Sequence, residues 1–289
     1  MLWVNAIVQG ILLGGLYALF ACGLSVVFGV MRVVNLAHGD LAVLAAFLAF
    51  SLTGPLPGHL LLAAVVVIPL LAAVGYALHR ALLHRSLRVG PLSTLLATFG
   101  LSIVLQNLLL ETYSADTHTL PAGVLTAGSI RVNDQISIST LALLTFGLAV
   151  VVLVGIQLFL SRTQLGRMMR ASADDATAAS IVGGNVRHIY AIAMGIAFGT
   201  IALAGVLSAM RSSFNPNTGP TMLIFAFEAV VIGGLGSLWG TLLGGMVLGL
   251  AQTLCAQIDP ALTLLGGHVI FLAVLAFRPQ GLIPARSTA

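Results

Sequence analysis

The sequence predicts an all-α fold, a polytopic transmembrane helical bundle of about 8–10 spans in which some helices are broken at glycine. Of the 289 residues, 59% are hydrophobic and 7% are charged. The mean hydropathy is +1.10. A soluble domain carries about 25% charged residues, so this chain is expected to lie in a membrane.

Long runs without charged side chains predict the individual spans. The first run, 6–30, is too long for a signal-peptide core and lacks a basic start, so we expect a retained helix. Seven more runs follow along the chain: 41–58, 60–78, 93–110, 136–160, 189–210, 229–258 and 260–277. Gly233, Gly234 and Gly236 should break the run 229–258 into two helices, which gives about nine passes.

The arginines predict the orientation of these spans. All 12 basic residues are arginine, and ten of them fall in alternate loops, around Arg32, 80–88, 162–187 and 278–286. The positive-inside rule places those loops in the cytoplasm, with the N-terminus outside and the C-terminus inside. Only Arg131 and Arg211 then lie outside. The long outer loop 111–135 ends in an alternating stretch around Asn133, which is consistent with either a small hairpin or an irregular loop.

Several function classes lack the residues that they need. The chain contains no lysine, so it cannot form the phosphate-binding loop of a nucleotide hydrolase. A clustered basic face for nucleic acid is absent from the sequence. Cys22 and Cys255 lie inside apolar runs without the spacing of metal ligands. We find no pattern of catalytic residues and no predicted metal site.

A polar island, 161–187, separates two long apolar runs and holds four arginines. Ser172 near a helix start, acidic residues after it, and Gly183 with Gly184 at its end predict a short surface helix of about nine residues. A solvated loop held at lipid headgroups by arginine is the alternative. The repeated alanines favour a helix that a partner surface can approach closely.

Two further polar features interrupt the apolar background. Asn35, His38 and Asp40 fit equally well an ordinary inner loop or a broken helix whose polar groups line a route through the membrane. Glu228 stands alone in the apolar stretch 221–234, where an ionised carboxylate is costly. It is expected to bind a substrate ammonium group, pair with an arginine of another subunit, or cap a broken helix.

The island resembles the cytoplasmic coupling loop of bacterial ABC importer permeases for branched-chain amino acids. Three other stretches resemble motifs of the same family in the same order: GLYALFACGLSVVFGVMRVVNLAHGDLAVLAAF, FEAVVIGGLGSLWGTLLGG and LAFRPQGLIP. The four motifs cover most of the chain. The resemblance identifies as coupling-loop residues Gly166, Arg167, Arg170, Ala171, Asp174, Ala178, Ala179 and Gly183.

The resemblance implies one ABC permease domain over residues 1–289, in the inner membrane of a bacterial cell. Such a subunit has no cofactor of its own, because ATP and Mg are bound by two cytoplasmic ATPase subunits. The other implied partners are a second homologous permease, an extracytoplasmic solute-binding protein and membrane lipid, but no nucleic acid. The pathway candidates are Asn35, His38, Asp40, Glu228, Gly233, Gly234 and Gly236.

The expected function is therefore ATP-driven import of branched-chain or other hydrophobic amino acids by alternating access. An ABC permease for urea, amides or small aromatic acids is an alternative substrate assignment. A proton-coupled secondary transporter that uses Glu228 and His38 belongs to a different class. That class explains the intramembrane carboxylate but not the island, since a self-contained transporter needs no docking surface.

Overall fold

A computed structural model describes residues 2–53, 60–120, 128–133 and 136–283. Predictions that involve Gly58, Asp134 and Arg286 lie outside these ranges. The described elements are α1 Leu2–Met31, α2 His38–Thr53, α3 Leu60–Leu78, a π-helical turn His79–Leu83, α4 His84–Val89, α5 Pro91–Tyr113, β1 Ser129–Asn133, β2 Ile136–Ser139, α6 Thr140–Arg162, α7 Gln164–Asp174, α8 Ala176–Ile181, α9 Val186–Arg211, α10 Gly219–Gly233, α11 Leu238–Ile258 and α12 Thr263–Phe277.

The prediction of a polytopic helical bundle is confirmed. In the described ranges, seven helices are long and apolar enough to cross a membrane. The predicted passes that remain correspond to α2, with 16 residues, and α10, with 15 residues. Both are shorter than the roughly 20 residues that a full span needs. In the described ranges, the nine predicted passes therefore correspond to seven full-length helices and two short ones.

Helix α1 occupies the centre of the bundle. It packs against α6, α9, α10 and α11, and its residues from Gly14 to Val27 are buried. Its closest neighbour is α11, where a methyl group added at Gly245 would lie 2.6 Å from the carbonyl oxygen of Gly14. The two backbones touch, as the four-residue spacing of small residues in both helices predicts.

The two short helices start inside the bundle rather than at its surface. His38, at the start of α2, has its Nε2 atom 2.8 Å from the carbonyl oxygen of Phe20, in the middle of α1. Phe20 lies 11 residues before the end of α1, or about 16 Å along its axis. Residues 32–37 therefore fold back from the end of α1 into the bundle. Gly219, at the start of α10, packs against Gly39.

The predicted break in the run 229–258 is confirmed. Helix α10 ends at Gly233 and α11 begins at Leu238, with Gly234 and Gly236 at φ 113° and 80° between them. These are left-handed conformations that glycine adopts without strain. The Oγ atom of Ser237 then accepts a hydrogen bond from the N–H of Gly240 and caps α11.

The predicted outer loop contains a small hairpin, which was one of the two structures consistent with its sequence. Strands β1 and β2 pair in antiparallel orientation, with Ile130 opposite Ile138. Gln9, near the start of α1, donates a hydrogen bond to the carbonyl oxygen of Ser137, 2.8 Å away. We call this end of the bundle the hairpin end, and the opposite end, which carries α7 and α8, the loop end. Helix α6 connects the two ends.

The arginines of the described residues are distributed unequally between these ends. Only Arg131 and Arg211 lie at the hairpin end. The others follow helices that run toward the loop end or precede helices that leave it: Arg32, Arg80, Arg85, Arg88, Arg162, Arg167, Arg170, Arg187 and Arg278. The folded chain thus has one strongly basic end.

Candidate functional site

The polar island contains two helices, α7 and α8, and the surface helix predicted after Ser172 spans the end of the first and all of the second. Thr163 caps α7, since its Oγ1 atom accepts a hydrogen bond from the N–H of Gly166 over 3.0 Å. Asp175 caps α8 by accepting bonds from the N–H groups of Thr177 and Ala178. Ser172 was predicted near a helix start, but it is buried within α7. The prediction of one nine-residue helix was wrong because Asp175, and not Ser172, provides the cap.

The predicted helix end at Gly183 is confirmed. Gly183 has φ 87°, and its N–H donates to the carbonyl oxygen of Ser180 over 3.1 Å. The N–H of Gly184 donates to the carbonyl oxygen of Ala179 over 2.9 Å. This pair of bonds, with a left-handed glycine after the last helical turn, is a Schellman motif. It fixes the direction in which the chain leaves α8.

The island residues divide between the two surfaces of these helices. Gly166 and Ala179 are buried, and an added methyl group at Gly166 would overlap the last turn of α6. Gly183 lies in the turn after α8. The other predicted coupling-loop residues are exposed on the helices: Arg167, Arg170, Ala171, Asp174 and Ala178. Helix α7 contacts α1, α6 and α9 through its buried side. The loop is therefore a fixed platform with an arginine-bearing outer surface.

Sequence reasoning missed the most exposed part of this platform. Ile181 and Val182 are 80% and 76% exposed at the tip between α8 and α9. The sequence signal that could have identified them was the pair of adjacent large aliphatic side chains between the alanine-rich stretch and Gly183. Exposed aliphatic residues next to exposed charges are typical of a protein-binding surface.

Asn35 lies in the folded-back segment and His38 begins α2, so neither residue lies in an ordinary inner loop. Asn35 is 1% exposed, and its Oδ1 atom accepts a hydrogen bond from the N–H of Ala37. The N–H of Leu36 donates to Oγ1 of Thr98 on α5. Irregular backbone at this depth is tolerated because protein surrounds it. The Nδ2 atom of Asn35 and the Nδ1 atom of His38 have no hydrogen-bond partner among the described residues.

Asp40 is held by helix α5. Its carboxylate accepts a hydrogen bond from Ser102 over 2.5 Å and another from Gln106 over 3.0 Å. It also lies against Gly219, in the first turn of α10. A carboxylate in the first turn of one helix and beside the first residue of another is stabilised by both helix dipoles. Asp40 thereby joins α2, α5 and α10.

Glu228 is buried in the middle of α10, with 3% of its surface exposed. Its Oε1 atom is bonded to Nδ1 of His268 on α12. Glu228 does not cap the break, which begins five residues later at Gly233. Within the single chain its partner is a histidine and not an arginine. Its second oxygen, Oε2, has no partner among the described residues.

A second polar pair lies close to Glu228 and was not predicted. The hydroxyl group of Tyr17 on α1 donates to Oε1 of Gln252 on α11, and Gln252 is 2% exposed. The Tyr17 ring lies 5.1 Å from the ring of Phe225, one turn before Glu228. Tyr17 and Gln252 are isolated polar residues in apolar runs, and this position in the sequence could have identified them as candidates. The Nε2 atom of Gln252 is also without a partner in the described part of the chain.

The glycines of the break pack tightly against backbone. A methyl group on Gly233 would overlap the carbonyl group of Gly240. Leu282 and Ile283 donate backbone hydrogen bonds to Ile232 and Gly233 over 2.8 and 2.9 Å. This closing segment, 278–283, covers the turn between α10 and α11. The structure gives these glycines a packing role, and their part in a pathway stays a prediction.

The candidate residues thus form separate groups. The segment that holds Asn35, His38 and Asp40 contacts α1 and α5, whereas Glu228 contacts α12. The island lies at the loop end. Among the described residues there is no group of three or more histidine, cysteine or acidic side chains that could hold a metal ion.

A family model and two relatives of this chain bear the same kind of description. Residues 6–276 match the family model of the branched-chain amino acid transport system, permease component. The chain is 32% identical to the high-affinity branched-chain amino acid transport system permease protein BraD of Pseudomonas aeruginosa, over 97% of this chain and 95% of BraD. It is 29% identical to LivH of Escherichia coli, over 95% and 93% of the two chains.

A third relative bears the same description as LivH and comes from the same organism. LivM of Escherichia coli is 31% identical over 131 residues, which are 43% of this chain and 30% of LivM. All three proteins are described as permease proteins of transport systems. The relatives of this chain are therefore transport subunits and not enzymes.

Proposed function

The chain belongs to the permease family of branched-chain amino acid transport systems, and from this we propose that it is the membrane-spanning subunit of an ATP-driven importer. Its substrates would be branched-chain or other hydrophobic amino acids, carried inward by alternating access. The observation that carries the proposal is the rigid platform formed by α7 and α8 at the loop end.

The platform has the features of a docking surface for a separate ATPase subunit. Arg167 and Arg170 are exposed on α7, and Ile181 and Val182 project from the tip. In protein interfaces, aliphatic anchors contribute affinity when a partner pocket removes them from water, and the charges around them favour the correct partner. ATP and Mg would be bound by the ATPase, and this chain would transmit its movement to the membrane.

The complete importer would contain a second homologous permease, two cytoplasmic ATPases and an extracytoplasmic solute-binding protein. The relatives support a pair of permeases, since LivH and LivM of one organism share one description and both resemble this chain. The loop end would face the cytoplasm of a bacterial cell, because it carries most of the arginines. The N-terminus would then lie outside and the C-terminus inside.

Candidate pathway residues differ in the hydrogen-bonding capacity that remains to them. Asp40 already receives bonds from Ser102 and Gln106, which favours a role in joining helices. Glu228 retains an unbonded carboxylate oxygen, and Asn35 and His38 each retain a nitrogen. We infer that Glu228 receives the ammonium group of the substrate, since an ionised carboxylate in a dry site binds a cation strongly.

One observation favours the proton-coupled alternative. The bonded pair of Glu228 and His268 joins two groups that exchange protons in membrane carriers. The exposed platform argues against a self-contained carrier. Urea, amides or small aromatic acids remain alternative substrates of the ATP-driven machine.

The test is uptake by proteoliposomes that contain both permeases and ATPases, with the binding protein outside. We expect leucine uptake that requires ATP and persists when an ionophore removes the proton gradient. Uptake that stops with the ionophore and continues without ATP would favour the carrier. Arg167→Glu with Arg170→Glu should abolish ATP-driven uptake while the subunit still inserts, since the reversed charges disfavour docking. Full uptake by this variant would contradict the docking role of α7.

A further inference from the structure

A cationic and aromatic cluster lies at the loop end, where α3 ends and α9 begins. It comprises Tyr76, Arg80, Arg187 and His188, with the buried His79 beside them. We propose that this cluster binds the phosphate headgroup of an anionic phospholipid. The proposal is independent of the transported substrate and of the ATPase.

Hydrogen bonds bring the two arginines together. Nη1 of Arg80 donates to the hydroxyl group of Tyr76 over 3.1 Å, and that hydroxyl lies 2.9 Å from Nδ1 of His188. Nη2 of Arg187 donates to the carbonyl oxygen of Arg80 over 3.0 Å. Each guanidinium group has five N–H donors, and one from each is used in these bonds. Most donors therefore remain for an anion, and arginine binds phosphate through paired donors.

The charge of the cluster is not neutralised by the chain itself. No described carboxylate lies within 4 Å of Arg80 or Arg187, and the ion pair found among the described side chains joins His268 to Glu228. The nearest acidic residues in sequence to Arg187 are Asp174 and Asp175, and the carboxylate of Asp175 caps α8. Two arginines held close together without a counter-charge favour a bound anion.

His79 is a second, independent indication of a ligand. Its side chain is completely buried, yet neither ring nitrogen has a hydrogen-bond partner among the described residues. Its ring lies 6.0 Å from the ring of Tyr190 and 6.2 Å from that of His84. A buried polar group without a partner is unfavourable, and a phosphate oxygen that reached this ring from the cluster would supply one. An imidazole N–H can donate to a phosphate oxygen.

The backbone at this point is unusual. Residues His79–Leu83 form a π-helical turn between α3 and α4. Such a turn adds one residue to the helix and rotates the following side chains by about 100° relative to the preceding ones. The residues that follow the turn, beginning with His84, therefore leave the helix in directions that a continuous α-helix would not give them. Turns of this kind often occur at functional sites.

The surroundings favour a lipid over a free phosphate ion. The cluster lies at the end of a helix whose exposed side is aliphatic, with Leu70 and Val74 47% and 40% exposed. An acyl chain can lie along this surface while its headgroup reaches the arginines. Basic sites between helices at the cytoplasmic ends of membrane proteins bind anionic headgroups in this way.

The test measures lipid binding by the purified full chain in nanodiscs. Native mass spectrometry and titration with phosphatidylglycerol and phosphatidylcholine give the affinity for each lipid. We expect phosphatidylglycerol to bind more tightly, and Arg80→Gln with Arg187→Gln to weaken its binding about twenty-fivefold, because each arginine near an anionic headgroup contributes about fivefold. Arg32→Gln with Arg278→Gln is the matched control, since it removes two arginines from the same end and should cause little change.

Further variants separate loss of binding from loss of structure. Arg80→Lys with Arg187→Lys should retain part of the affinity, and His79→Phe should weaken binding while the melting temperature stays unchanged. Equal binding of the two lipids, or an equal loss in the Arg32 and Arg278 control, would overturn the proposal. Complete displacement of the lipid by inorganic phosphate alone would assign the site to the free ion and also overturn it.

Discussion

The Nε2 atom of His38 lies 2.8 Å from the carbonyl oxygen of Phe20, so the second helix begins beside the middle of the first. This contact fixes how far residues 32–37 reach back into the bundle. It also brings Gly39 against Gly219, where the tenth helix begins. The two short helices thus start next to each other within the membrane region, and this junction is the part of the fold most sensitive to added volume.

Gly39→Ala should destabilise the protein by about 1–3 kcal/mol or prevent its folding, because the new methyl group would overlap the carbonyl group of Gly219. Thermal unfolding in detergent measures the change. Gly155→Ala is the control, since no atom lies within 4 Å of its added methyl group. Equal stability of the two variants would show that the junction tolerates more volume than the packing indicates.

Cysteine labelling tests the orientation of the bundle. After Cys22 and Cys255 are replaced, a cysteine at Thr119 should react with a membrane-impermeant reagent in intact cells. A cysteine at Ser180 should react only after permeabilisation, because Ser180 lies on α8 at the basic end. Both positions are exposed, so access to the compartment decides the result. Labelling of Ser180 from outside would reverse the orientation and exclude docking of a cytoplasmic ATPase.

Ile181→Ala with Val182→Ala should weaken binding of the ATPase subunit by about 1–4 kcal/mol. Folding should be unaffected, since both side chains are largely exposed in the single chain. Affinity in detergent, measured by biolayer interferometry, gives the change. Ile258→Ala is the matched control, because Ile258 is 71% exposed at the opposite end. An unchanged affinity would remove these two residues from the docking surface.

Gly183→Pro should impair coupling more than Gly183→Ala. Alanine at φ 87° is strained by roughly 1–2 kcal/mol, whereas proline cannot adopt positive φ and also loses the N–H that donates to Ser180. Gly183→Asn should come closest to the original activity, because asparagine tolerates this conformation best. Uptake per ATP hydrolysed is the measurement. Equal values for the proline and asparagine variants would contradict a role for the Schellman motif.

Glu228→Gln should reduce leucine uptake while yield and basal ATPase activity remain, because glutamine keeps the size and an acceptor oxygen but loses the charge. Combining it with His268→Asn gives a double-mutant cycle for the pair. We expect a coupling of about 0.5–3 kcal/mol in thermal stability, as for residues in direct contact. Normal uptake by Glu228→Gln would exclude the ammonium role, and zero coupling would exclude the pair.

The sequence predicted the helical class and the break at Gly233 well, because both follow from local properties. Charge-free length defines a span, and paired glycines interrupt a helix wherever they occur. Gly183 was equally predictable, since a left-handed residue after a helix favours glycine. The start of the last helix in the island was not predictable in this way, because Ser172 and Asp175 are both residue types that cap helices. In the folded chain Ser172 lies within α7, which packs against α1 and α9, and Asp175 provides the cap.

The contacts between distant residues could not be predicted from local patterns. Nothing near Glu228 in the sequence indicates that its partner is His268, 40 residues later. The folded-back segment was equally ambiguous, because Asn35, His38 and Asp40 suited an ordinary inner loop or a broken helix that lines a route through the membrane. The hydrogen bond from Leu36 to Thr98 and the contact of His38 with Phe20 show that the segment enters the bundle. Such long-range contacts depend on how the helices assemble.

The closing segment has a consequence for biosynthesis. Leu282 and Ile283 donate to the carbonyl groups of Ile232 and Gly233, which end the tenth helix. The ribosome adds Leu282 only after 49 further residues have followed Ile232. During that interval the turn between the tenth and eleventh helices is inserted without its cover. The hairpin of helices therefore reaches its final arrangement only after these two residues are added, and a nascent chain released before Leu282 would present two unpaired carbonyl groups to the cell's quality-control proteases.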